Sequence, residues 1–236
     1  YTNGDYNLVK VNLENIKERS TIVEDIDKIL GDIYLGNNNI FYIDADGYIS
    51  MYDGSKSKKI SKLKVRSGIF HWNDFQGTLD PGLPGYSYKK YNQCLYQDNF
   101  IYYVSENDYL MTINLEDLSN EKLANDCKYV LGDTGVKNNS LYYVGNNKKL
   151  YELDIISKER DSIEEIYKDE IYYYRNSLIF ITKYQNKIIR RNFKTRYLES
   201  LDNVYLLDKI KYIKDNVVFY EDTNGDADIL IMDTLK

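Results

Sequence analysis

Hydrophobic and polar positions alternate in short runs along most of this 236-residue chain, and the runs repeat. Three stretches show it best: "IFYIDADGYISMYDGS" (40–55), "IYYVSENDYLMTINLE" (101–116) and "LYYVGNNKKLYELDII" (141–156). Each has an aliphatic residue, two aromatics, a polar turn, and a second run closing on Asp or Asn. Alternation over this length, bounded by turn residues, predicts pairs of half-buried β-strands. Looser copies are "LIFITKYQNKIIRRNF" (178–193) and "VVFYEDTNGDADILIMD" (217–233). The opening "YTNGDYNLVKVN" fits as a copy whose start is cut off. The second aromatic position falls at Tyr1, Tyr42, Tyr103, Tyr143, Phe180 and Phe219, with successive gaps of 41, 61, 40, 37 and 39 residues.

A second anchor holds the register. The aliphatic residue of the following strand is Leu8, Ile49, Leu110, Leu150, Ile188 and Ile229. Four positions on come Asn12, Asp53, Asn114, Asp154, Asn192 and Asp233. Each is Asp or Asn, the side chains that hydrogen-bond the backbone two residues on and so favour tight turns. A further strand follows in most copies ("KKISKLKV", 58–65; "RYLESL", 196–201), and another precedes each aromatic pair ("QCLYQ", 93–97; "KYVLG", 128–132). In "IKERSTIVEDIDKIL" (16–30), Ile22, Ile26, Ile29 and Leu30 have helix-compatible spacing. Repeat alignment makes the segment strand and connection, which is the expectation taken here.

About four short strands recurring every ~40 residues are the mark of a β-propeller blade, a sheet that needs a neighbour to cover each face. The expected fold is therefore all-β: a six-bladed β-propeller of four-stranded antiparallel blades, in one domain over 1–236 whose first and last blades are incomplete. Five blades result instead if the two ends combine into one. The 61-residue gap marks an insertion, placed at 66–92, between the outer strand of one blade and the innermost strand of the next.

The unit resembles the YWTD-type propeller of low-density-lipoprotein-receptor-related proteins. It is similar also to a bacterial family, common in clostridia, that shares this propeller. "IFYID" with "ISMYDGS" carries the resemblance, together with the aromatic pairs and terminal Asp or Asn elsewhere. The chain lacks the YWTD tryptophan and usually the Thr-Asp, so no receptor-type ligand follows. The clostridial resemblance implies an exported or surface-attached domain without enzyme activity. Abundant Asn, Lys, Ile and Tyr suit a low-GC Gram-positive source.

Composition sharpens this picture in a few places. Tyrosines number 26 against 7 phenylalanines, a bias toward half-buried strands. Formal charge is −6 and the two signs are interspersed, which argues against nucleic acid as a partner. No run approaches the ~20 apolar residues of a membrane helix. The chain opens on Tyr1 rather than Met, which leaves an upstream signal peptide, lipid anchor or further domain open. Cys94 and Cys127 have no metal-ligand spacing and are read either as a disulfide or as two unrelated thiols.

Candidate chemistry is sparse. The single histidine, His71, excludes a multi-histidine zinc site and leaves no nucleophilic triad in view. Acids occur in nearly every turn, so a carboxylate-based glycan or lactone lyase or hydrolase stands as the enzymatic alternative. In "DTNGDAD", Asp222, Asn224, Asp226 and Asp228 alternate as a calcium loop would have them. However, the sixth position is Ala227 and the twelfth is Asp233, where an EF-hand has Gly and Glu. A plain β-hairpin turn is the competing account.

The insertion holds the only tryptophan, the only histidine and both prolines, Pro81 and Pro84. Strand order places it on the face of the turns at Asp44, Asp46, Asp222 and Asp226, leading toward the central funnel. Trp72, Phe75, Tyr86 and Tyr88, with His71 and Asp74 as polar contacts, form the candidate ligand-binding set. The other reading is a structural plug stiffened by its prolines. The expected function is a non-catalytic, extracytoplasmic, monomeric binding domain for a protein or glycan. A structural or sensory module of a longer surface protein is the further alternative.

Overall fold

The computed structural model describes residues 7–12, 14–15, 17–24, 26–29, 39–66, 91–92, 94–97, 99–131, 136–174, 176–183, 187–202, 207–214 and 217–232. Among them there is no helix, and every strand pair with a described register is antiparallel. The chain divides into two compact units, residues 1–69 with 93–130 and residues 70–92 with 131–236.

In the first unit β1 (Leu8–Val11) pairs with β2 (Arg19–Val23). β3 (Ile26–Ile29), β4 (Ile40–Asp44), β5 (Ile49–Tyr52) and β6 (Ser57–Lys59) then form a four-stranded meander. The described part of the 16–30 segment is strand (β2 and β3) with connecting residues, as repeat alignment expects. β7 (Tyr91–Asn92), next in the chain, belongs to the second unit. β8 (Cys94–Gln97), β9 (Phe100–Val104), β10 (Leu110–Asn114) and β11 (Asn120–Ala124) make a second meander. Cys94 and Cys127 form no disulfide here, and burial pushes the Cys127 thiol well up from its usual range.

β12 (Cys127–Leu131) leads into the second unit, followed by β13 (Val136–Lys137), β14 (Ser140–Gly145) and β15 (Lys149–Asp154). The 15-residue β16 (Arg160–Tyr174) serves two sheets. Its first part pairs with β15, and its remainder pairs with β17 (Ser177–Thr182), which continues to β18 (Ile188–Asn192) and β19 (Leu198–Asp202). β20 (Leu207–Lys214), β21 (Val217–Asp222) and β22 (Ala227–Ile231) form a three-stranded sheet. The fold is all-β and of the propeller type.

The repeat reappears as recurring backbone geometry. At each described anchor with an outer strand, the pairing carries a β-bulge: Leu8/Val9, Leu110/Met111, Leu150/Tyr151 and Ile188/Ile189. At Ile49 the N–H groups of Ile60 and Ser61 both donate to its carbonyl. The bulge ends β6 at Lys59, so "KKISKLKV" is not one strand. The carbonyl two residues before an anchor accepts from the start of the next sheet, as in Val65 to Gly47, Cys127 to Asp108 and Ile166 to Lys148. Those three acceptors have left-handed φ of 87°, 61° and 63°.

The aromatic pairs fill the interiors, with Tyr103, Tyr143 and Phe180 fully buried. Five anchors are buried as well; the sixth, Ile229, is 53% exposed. The reason is local: β22 is an edge strand with no outer neighbour among the described residues.

Candidate functional site

Turn chemistry accounts for the acids that sequence singled out first. The carboxylate of Asp53 accepts from the Ser55 hydroxyl at 2.7 Å and from the N–H groups of Ser55 and Lys56 at 2.9 Å each. These bonds, the Ser55 hydroxyl first, hold its pKa down to about 2. Asn12, Asn114, Asp154 and Asn192 each accept from the N–H two residues on. Asp233 lies outside the described residues.

The calcium candidates behave in the same way. The Asp222 side chain accepts from the N–H groups of Asn224 at 2.8 Å and Asp226 at 3.0 Å, closing the β21–β22 hairpin. Asp228 stands on β22, where it accepts from the Tyr220 hydroxyl at 3.2 Å and from the Ile229 N–H. The structure therefore gathers Asp222, Asn224 and Asp226 in one turn and assigns Asp228 to the strand beside it. Among the described residues no three His, Cys, Asp or Glu side chains are arranged to hold a metal.

His71, Trp72, Asp74, Phe75, Tyr86 and Tyr88 lie outside the described residues, but the root of their segment does not. Lys64–Arg66 runs along two turns of the first unit. Val65 donates to Gly47 at 2.8 Å, Arg66 to Val104 at 2.9 Å, and Glu106 to Lys64 at 3.0 Å. The Arg66 guanidinium meets Asp108 at 2.9 Å. Val65 bonds to Gly47 as Cys127 does to Asp108 at the start of β12. Val65 also forms an isolated antiparallel bridge with Ser105, beyond the end of the β8–β9 ladder. The root of the insertion adjoins the turn at Asp44 and Asp46. The Asp44 carboxylate is engaged by the Tyr48 N–H at 2.8 Å and the Ser50 hydroxyl at 3.0 Å.

One charged cluster escaped the sequence reading. Glu152 on β15 is buried, and it accepts from the Ser140 hydroxyl at 2.7 Å and from Arg191 on β18 at 2.7 Å. Arg196 approaches it at 3.1 Å. Burial raises its pKa, but Ser140, Arg191 and Arg196 outweigh that and hold it below the usual glutamate range. The signal was available in the aligned copies: Glu152 falls two residues after its anchor, where the next copy has Arg190 followed by Arg191.

No protein-family model matches the chain, and no curated protein does either. Among solved structures it is similar to PorZ, a bacterial surface component of the type-IX secretion system of Porphyromonas gingivalis. Identity is 13%, with 97% of this chain and 31% of that one covered, at a TM-score of 0.50. The likeness is one of fold. A computationally designed protein, Ika8, gives 10% identity over 90% of this chain and 60% of that one, at 0.46. A chain of a nidogen/laminin complex gives 16% over 83% and 71%, at 0.43. The chain spans about a third of the length of PorZ.

Proposed function

We propose that this chain is a non-catalytic, extracytoplasmic binding domain, akin to the YWTD-like propellers of clostridia, which takes a protein or glycan ligand on its insertion. Six blades, the first and last incomplete, serve as a rigid mount for a monomeric domain. Trp72, Phe75, Tyr86 and Tyr88 offer aromatic faces, and His71 and Asp74 orient the ligand. The observation that supports this most is the root of the insertion. Hydrogen bonds to Gly47 and Val104 and the ion pair to Asp108 fasten it to the first unit. Loops carried on a fixed scaffold are the usual place for recognition. Calcium is not needed for this reading, because the Asp222 turn is already closed by its own N–H groups. No helix of the described residues is long and apolar enough to cross a membrane.

The test is a glycan and peptide array probed with the whole chain and with Trp72→Ala/Tyr86→Ala. Loss of the captured ligand with an unchanged melting temperature is the expected result. Equal capture by both proteins, or turnover of a glycan or lactone by the purified chain, would overturn the proposal.

A further inference from the structure

The interspersed charge of the whole chain hides one local exception. Between Asp53 and Asp74 there is no acidic residue, and Lys56, Lys58, Lys59, Lys62, Lys64 and Arg66 all fall in that interval. They follow β6 and the segment that climbs from its bulge to the root of the insertion. An extended run of this length spans up to about 30 Å. Lys56, Lys58, Lys59 and Lys62 are exposed, while Ile60, Ser61 and Val65 between them are buried, so the backbone is pinned. Asn120 on β11 adds a clamp, accepting from the Lys62 N–H at 2.9 Å and donating to the Ile60 carbonyl at 2.8 Å.

Part of this charge is met locally: Lys56 is attracted by Asp53, Lys59 reaches Asp46 at 3.9 Å and Arg66 pairs with Asp108, whereas Lys58 and Lys62 meet no acid among the described residues. Lysines on an edge strand commonly guard it against pairing with other sheets. That role does not require one sign, and the outer strands β11, "NEKLA" (120–124), and β19, "LESLD" (198–202), carry mixed charge or acids.

We propose that this ridge on the first unit binds a linear carboxylated polysaccharide. The lysines of the ridge are spread along β6 and the segment beyond the bulge rather than gathered at one point, which suits a polymer that carries charge along its length. Lysines engage such groups as separate point charges. A bilayer is disfavoured because the large exposed apolar side chains of the described residues (Ile156, Tyr197, Leu198, Ile229 and Ile231) all belong to the second unit. Single-stranded nucleic acid needs bare aromatic faces for stacking. The ring on this ridge, Tyr48, is faced by Lys59 at 3.7 Å and by Lys64 at 5.5 Å.

The ridge does not depend on the aromatic residues of the insertion, which separates its test from the one above. Binding of polygalacturonate to the whole chain is measured by calorimetry at low and at raised salt. Neutral dextran, oligo-dT and phosphatidylglycerol vesicles are run in parallel. Lys58→Glu/Lys62→Glu should weaken polygalacturonate binding at least tenfold and flatten its salt dependence. Lys149→Glu/Lys194→Glu, an equal charge change in the second unit, should leave it unaltered. Absence of binding at low salt, equal loss in the Lys149/Lys194 variant, or tighter binding of vesicles or oligo-dT would each overturn the assignment.

Discussion

At the scale of single residues, the Asp or Asn four positions after an anchor was legible at Asn12, Asp53, Asn114, Asp154 and Asn192, because one short side chain meets one geometric need. Asn192 accepts from two N–H groups, Lys194 at 2.9 Å and Thr195 at 3.0 Å, and is itself buried. Asn192→Ala should therefore cost about 1–2 kcal/mol in urea denaturation. Asp53 carries a pH signature. Its folded pKa of about 2 lies below the ordinary 3.8, so its contribution is complete above 3.8 and fades as pH falls toward 2. The melting-temperature gap between the wild type and Asp53→Ala should close over that window. The left-handed residues were not legible, since Asp108 and Lys148 hold a conformation that Gly47 alone announces by its type. Lys148 is exposed with φ of 63°. Lys148→Gly should raise stability by about 0.5–1 kcal/mol, because glycine adopts this region without strain.

At the scale of elements, hydrophobic alternation located the strands but not their irregularities. A bulge places two residues opposite one, and no residue type marks it, so β6 proved shorter than its apolar pattern. The same limit hid the Glu152 cluster, which depends on two strands from successive copies facing each other. A buried carboxylate shared by two guanidinium groups is costly to remove alone, since the partners keep their charge. Glu152→Gln should lower stability by about 3 kcal/mol in urea. Pairing Glu152→Leu with Arg191→Met should recover much of that, because the two buried charges go together and the guanidinium left behind, Arg196, is half exposed to water. Equal losses in the single and double variants would show that packing, not charge, matters at this position.

At the scale of the molecule, the repeat was legible because six copies each bring the same anchors. The role of 67–90 was less so, because composition alone does not distinguish a binding surface from a plug. The rare residues gather there for a simple reason: a blade pattern has little use for Trp, His or Pro, and this segment is free of that pattern. What the structure adds is the stretch that leads into it, Lys64–Arg66, fastened to the turns at Gly47 and Glu106. If the blades are complete in themselves and the insertion is a functional addition, the scaffold should tolerate its loss. The direct measurement is thermal unfolding of a chain in which residues 67–90 are replaced by a short Gly-Ser linker. A cooperative transition within a few degrees of the wild type is expected, with capture of the array ligand abolished. A fall of more than about 10 °C, equivalent to several kcal/mol for a chain of this size, would contradict that expectation and make the insertion part of the core.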